Sequence, residues 1–135
     1  MGPPRKEELS GYLLDTTFLV RFLRGEEKAV SWMRRAAGEG HVLACSAVNV
    51  AEIYAGMKEK ERPATEALLE ALRCLQVSFD VARQAGEWRA KYRARGREVS
   101  LPDAIIGATA HIHGLALVTD NRKDFPMPGL AIFSP

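Results

Sequence analysis

Asp15, Glu52, Asp103 and the pair Asp120/Asp124 are far apart along the chain, yet each stands at or near an element end. Asp15 closes the apolar run Tyr12-Leu13-Leu14. Glu52 lies about two turns into a helical segment that begins at Ser46. Asp103 opens another, just after Ser100-Leu101-Pro102. Asp120, with Asn121 beside it and Asp124 nearby, follows Leu115-Ala116-Leu117-Val118. Carboxylates delivered to one rim cannot all ionise a few ångströms apart unless a cation compensates them. Oxygen-only ligands of this kind suit Mg2+ or Mn2+ rather than zinc. An ion so held is a standard means of activating water against a phosphodiester.

Singly, every one of these positions has a plainer explanation. Asp15 precedes a helical segment and would serve as its N-cap. Asp103 follows Ser100 by three residues, the spacing of a capping box. Glu52 could pair with Lys58, although its neighbours Val50, Ala51 and Ile53 are unusual company for a solvated glutamate. Asp120 and Asp124 suit turns. The signal lies in the set, because four separate segments offer carboxylates to one predicted edge.

That edge depends on the elements behind it. Apolar runs at Gly11 to Leu14, Val42 to Cys45, Gln76 to Phe79, Leu115 to Val118 and Leu130 to Phe133 predict short strands. Helical spacing predicts helices over Thr17 to Arg24, Glu26 to Ala37, Ser46 to about Lys60, Pro63 to Leu75, Asp80 to Gly96, and Ser100 to Gly114. Strands alternating with helices imply an α/β fold, a mainly parallel central sheet of four to five short strands with helices on both faces. Ligands of such sheets gather outside the strands' carboxyl ends, where Asp15 and Asp120 would stand. Residues 11–135 form one expected domain, and residues 1–10, with Pro3-Pro4 and mixed charge, an expected mobile tail.

Composition narrows the rest. A 135-residue chain with a net charge of +2 gives no argument for nucleic acid by charge alone. No apolar run approaches a membrane span and the N-terminus lacks a signal core, so a cytoplasmic protein with no membrane partner is expected. Cys45 and Cys74, both among apolar neighbours, read as buried reduced thiols. His41, His111 and His113 accompany no nucleophile motif, and no Gly-rich phosphate loop follows a strand. Arg89, Arg93 and Arg97 recur at i, i+4, where like charges repel. They could form a groove that tracks an RNA backbone, or a solvated face paired with Glu87 and Glu98. Trp88 and Tyr92 on the adjacent face read as core, and Leu68, Leu69, Leu72 and Leu75 as a stripe for the core or for a dimer.

Four stretches in order now carry a resemblance: Leu-Leu-Asp15-Thr-Thr, Ala51-Glu52-Ile53-Tyr54-Ala-Gly56, Pro102-Asp103-Ala-Ile-Ile-Gly-Ala-Thr-Ala, and Val-Thr119-Asp-Asn121-Arg-Lys-Asp124-Phe125. Together they resemble the successive motifs of the PIN domain, and most closely the VapC-type toxins of toxin–antitoxin pairs, from Gly11 onward. The resemblance implies a PIN-like three-layer α/β/α fold and a Mg2+-dependent endoribonuclease, with Mn2+ as a substitute. Asp15, Glu52 and Asp103 match the acidic positions. Asn121 occupies the fourth, with Asp120 one residue before it and Asp124 three after, so the fourth ligand is Asp120, Asn121 or Asp124. Thr16 or Thr17, with Thr119, resembles the supporting hydroxyls. The family also implies an RNA substrate, 5′-phosphate and 3′-hydroxyl products, a homodimer, and a small VapB-like antitoxin as partner. The competing reading is a catalytically silent RNA-binding or scaffolding module, though such a module gains nothing from clustered negative charge facing a polyanion.

Overall fold

The computed structural model describes residues 11–135; the expected tail, Met1 to Ser10, lies outside the described residues. Each strand sorts its side chains by pleat, because successive residues point to opposite faces. Leu13, Ala44 and Leu117 enter one core with Val81, Ala85, Trp88, Tyr92, Ile106 and Phe125. Their neighbours Leu14, Cys45 and Val118 enter a second core with Phe18, Leu19, Trp32, Met33, Ile53 and Leu68. Strands apolar on both sides belong in a sheet covered on both faces.

The elements run β1 (Gly11–Leu14), α1 (Thr16–Leu23), α2 (Glu27–Gly38), β2 (Val42–Ser46), α3 (Ala47–Gly56), α4 (Arg62–Ala71), β3 (Arg73–Leu75), α5 (Phe79–Ala94), α6 (Leu101–Ile112), β4 (Leu115–Val118) and β5 (Ile132–Phe133). The sheet order is β3-β2-β1-β4-β5, and every strand pair is parallel. Helices α1 to α4 contribute to one core and α5 and α6 to the other, giving the expected three-layer α/β/α arrangement. Register sets Leu14 opposite Val118, so the carboxyl ends of β1 and β4 lie side by side. No helix among the described residues is long and apolar enough to cross a membrane.

Gly107 shows how closely α6 approaches the chain after β4. A Cβ there would lie 2.7 Å from Met127 Cε, so a larger residue would make the Met127 side chain shift from that face. Gly114, at φ +65°, ends α6 in the left-handed region that glycine favours.

Three expectations need correction. The third strand is Arg73–Leu75, not Gln76 to Phe79. Ser78 Oγ accepts from Val81 N–H at 3.1 Å and caps α5, so Phe79 begins the helix. Leu75 thus belongs to a strand, whereas Leu68 and Leu72 are core residues. The helix carrying Glu52 stops at Gly56 rather than near Lys60. Met57 is extended there, and Lys58 N–H donates to Glu61 Oε1 at 2.7 Å, starting a new turn. Finally, Cys74 is exposed on β3 at the sheet edge, opposite buried Cys45. Burial, and then the neighbouring Cys74 thiol, push the Cys45 thiol up to about 12.

Candidate functional site

Asp15 is the buried corner of the site, 5% exposed. Its backbone N–H donates to Val118 O at 3.0 Å, extending the β1–β4 ladder by one bond. Its carboxylate accepts from Thr16 N–H at 2.8 Å, Thr17 Oγ1 at 3.2 Å and Thr119 Oγ1 at 2.8 Å. Asp15 is therefore the N-cap of α1, and nothing in that role prevents a second one. It has no Lys or Arg partner among the described residues. Burial raises its pKa above the ordinary 3.8 despite those three hydrogen bonds, and the charge of Asp124 adds to the rise.

Thr16 links this corner to α3. Its hydroxyl donates to Glu52 Oε1 at 2.7 Å and accepts from Asn49 Nδ2 at 2.8 Å. Asn49 is wholly buried and also closes a reciprocal cap with Ser46. Ser46 N–H donates to Asn49 Oδ1 at 2.8 Å, and Asn49 N–H donates to Ser46 Oγ at 3.2 Å. Glu52 itself is exposed, although its sequence neighbours suggested otherwise. Helix α3 turns Ile53 inward and leaves Ala51 and Glu52 outside.

Asp103 stands in the first turn of α6, half-buried, with its N–H donating to Ser100 Oγ at 3.2 Å. Burial raises its pKa, the Ser100 hydroxyl opposes the rise, and the charges of Asp15, Asp124 and Glu52 add to it. Carboxylates from three other segments thus bear on Asp103 at the end of the sheet.

The segment after β4 divides its acidic residues between two directions. Asp124 closes a 3-10 turn, Arg122–Asp124, that is anchored by buried Phe125. This turn carries it toward Asp15 and Asp103, both of which feel its charge. Asp120 instead pairs with Arg21 Nη1. Arg21 donates from Nε at 2.9 Å and from Nη2 at 2.5 Å to Glu26. Asp120 is therefore tied to α1 and its following turn. Asn121 contributes its backbone, whose N–H donates to Thr119 Oγ1 at 3.0 Å. Thr119 accepts that bond and donates to Asp15.

The arginine series separates as well. Arg97 lies beyond the end of α5 and does not continue a helical stripe. Arg89 Nε donates to Val99 O at 2.8 Å, and Arg93 reaches Glu98 at 3.9 Å. Only Arg97 borders the acidic residues, in a cavity it shares with Asp103, Asp124 and Lys123. Trp88 and Tyr92 are core residues, and Tyr92 donates its hydroxyl to Pro126 O at 2.8 Å. His111 Nδ1 lies 3.3 Å from Gly129 O.

An uncompensated set of oxygen donors is chemically suited to a hard divalent cation. Among the described residues, however, no three acidic, His or Cys side chains are arranged to hold one as they stand. The geometry explains this. Thr16 engages Glu52 Oε1 at 2.7 Å, and Asp124 stands on the exposed turn after β4.

Sequence reading missed Asn49 and Arg21. The first had a signal: Ser46 and Asn49 have cap spacing, and Asn49 is the one amide in the run Ala47-Val48-Asn49-Val50-Ala51. Arg21 had none, because its partner Asp120 lies 99 residues away.

Residues 12–126 match the PIN domain family model. The chain is similar to ribonuclease VapC10 of Mycobacterium tuberculosis, 36% identical over 115 residues, which cover 85% of this chain and 86% of that protein. Among solved structures it is similar to a toxin–antitoxin complex from Klebsiella pneumoniae, with a TM-score of 0.72 and 30% identity over 93% of this chain and all of that one. VapBC2 from Rickettsia felis, solved bound to a fragment of promoter DNA, gives a TM-score of 0.82 at 23% identity, covering 92% and 98%. This last likeness speaks for the fold.

Proposed function

The chain belongs to the PIN-domain family, and on that premise we propose that it is a VapC-type toxin, a Mg2+-dependent endoribonuclease held in check by a small antitoxin. The observation that carries the reading is the set Asp15, Glu52, Asp103 and Asp124, from four segments. The charges of the other three all bear on Asp103, and none of the four forms an ion pair with Lys or Arg among the described residues. A fold keeps such a cluster at a cost in stability, and a ligand cation offsets that cost. Asp15, Asp103 and Asp124 are the residues that would hold Mg2+, with Glu52 recruited from Thr16. Mg2+ bound there supplies a Lewis acid that lowers the pKa of a water and stabilises charge on phosphoryl oxygens.

The chain's own residues do the positioning. Thr119, Thr17 and Thr16 N–H fix the Asp15 carboxylate from three directions, so it meets a ligand without rotamer loss. Asn49 holds the Thr16 hydroxyl, and Thr16 holds Glu52 Oε1, which keeps Glu52 within reach of the cluster. Asp120 takes no part in ligation in this reading; it braces the loop against Arg21. The relatives support the partner assignment, since the Klebsiella structure is a toxin–antitoxin complex. A homodimer is proposed on the family's ground alone.

Purified protein is expected to cleave single-stranded RNA only with Mg2+ or Mn2+ present. Asp103→Asn should lose on the order of 10²- to 10³-fold in rate, the scale of removing one electrostatic group from a reacting centre. Expression should arrest growth, and co-expression of the small reading frame beside the gene should relieve it. Cleavage that survives chelation, or survives Asp103→Asn at the parental rate, overturns the metal mechanism. Absence of cleavage by an intact, metal-loaded protein favours the silent binding module instead.

A further inference from the structure

Beside the acidic residues is an open cavity of about 440 Å3, lined by the turn from Arg97 to Ser100 and by Asp103, Lys123 and Asp124. Its two cations are placed differently from the other basic residues of this region. Arg89 and Arg93 both approach Glu98, while Arg95 lies over the Tyr92 ring at 5.9 Å. Arg97 uses one Nη2–H to grip Lys123 O at 2.6 Å and makes no other polar contact among the described residues. Lys123 has its carbonyl so held, and its ammonium has no partner among the described residues.

One hydrogen bond thus joins the 97–100 segment to the turn carrying Asp124, and Arg97 and Lys123 line the same cavity. Of the charged residues around the cavity, Glu98 is approached by Arg89 and Arg93, which leaves Asp103 and Asp124 beside Arg97 and Lys123. Neutralising Asp103 and Asp124 leaves Arg97 and Lys123 in surplus, and the cavity then favours an anion. Its volume falls in the range of small-ligand sites, enough for one nucleotide rather than a duplex.

We propose that this cavity is a subsite for the nucleotide adjoining the one cut, with the Lys123 ammonium and the Arg97 guanidinium binding its phosphate. The inference rests on the ribonuclease reading and deepens it. It gives the substrate a side on which it is gripped: the strand leaves the acidic cluster over the 97–100 and 122–124 turns, not along α5.

The test measures binding of a fluorescent single-stranded oligoribonucleotide, with Mg2+ present, to the Asp15→Asn chain at a series of salt concentrations. Adding Lys123→Gln should weaken binding on the order of five-fold at low salt and flatten the log–log salt slope by about 0.7, one phosphate contact on a single strand. Adding Arg97→Gln as well should remove a second contact of similar size. Lys60→Gln, on the Glu59–Glu61 turn outside the cavity, should change neither quantity. In the active chain, Lys123→Gln should raise KM far more than it lowers kcat. An unchanged slope and KM in Lys123→Gln overturn the subsite while leaving the nuclease reading intact. Failure of the parental chain to cleave RNA overturns the nuclease reading itself. An equal loss in Lys60→Gln shows diffuse charge attraction and also overturns the subsite.

Discussion

Asp15 and Asp120 invite comparison, because each follows a strand and those two strands are neighbours in the sheet. By position they are near twins, yet their surroundings are opposite. Asp15 is buried among hydroxyls and a backbone N–H, with no positive charge beside it among the described residues. Asp120 is exposed and neutralised by Arg21, which Glu26 holds in place. A strand's carboxyl end makes a carboxylate available. Whether it can serve a cation depends on whether the protein has already given it one.

The most severe way to break this comparison is to neutralise each twin in turn. Asp15→Asn should lower kcat on the order of 10³-fold, the upper range for losing an electrostatic group at a reacting centre. Asp120→Asn should change kcat less than about three-fold, as expected for an exposed ion pair. Comparable losses in both, measured under saturating Mg2+, would place Asp120 in the metal's ligand set after all.

A finer cut removes the support and leaves the carboxylate. Thr119→Val deletes the hydroxyl that donates to Asp15 and accepts from Asn121 N–H. It should weaken Mg2+ affinity by about 10- to 100-fold, the usual range for an outer-shell partner of a ligand. Thr119→Ser should restore most of it. Calorimetric titration of Mg2+ reads the effect without reference to turnover.

The smallest effect is thermal. Burial raises the pKa of both Asp15 and Asp103 in the folded chain. Such a group burdens the fold above its folded pKa, and the burden is relieved as pH falls through that pKa toward the ordinary 3.8. Without divalent ions, Asp103→Asn should melt about 2–4 °C higher than the parent at pH 7, a shift of the size that ~1 kcal/mol gives in a chain of this length. The gap should close on acidification toward pH 4. Mg2+ should raise the parent's Tm and leave the variant's less affected. A gap that widens on acidification would contradict the pKa assignment.

Much of this was legible in the sequence because it was local or periodic. The alternation Leu13/Leu14 and Leu117/Val118, the Ser100 cap and the glycine stops each act over a few residues. The third strand escaped for a physical reason. It is a three-residue edge strand, with Arg73 and Cys74 exposed, so it lacks the apolar run that marks a buried one. Glu52 misled because Ala51 beside it is also exposed: a small apolar residue does not report burial. The fourth corner stays open in the sequence among Asp120, Asn121 and Asp124, since their surroundings depend on Arg21 and on the turn that Phe125 anchors.

The hydrogen bond from Thr119 to Asp15 joins residues 104 positions apart, just past the ends of the paired strands β1 and β4. A growing chain that has produced β1, β2 and β3 already carries Asp15 and Glu52, but not the hydroxyl that orients Asp15. It also lacks Asp124. Because domains are made from the amino terminus onward, competence to cut waits until β4 and the turn that follows it have been made. A chain cut short before β4 has half the acidic cluster and lacks the strand that brings Thr119 to Asp15.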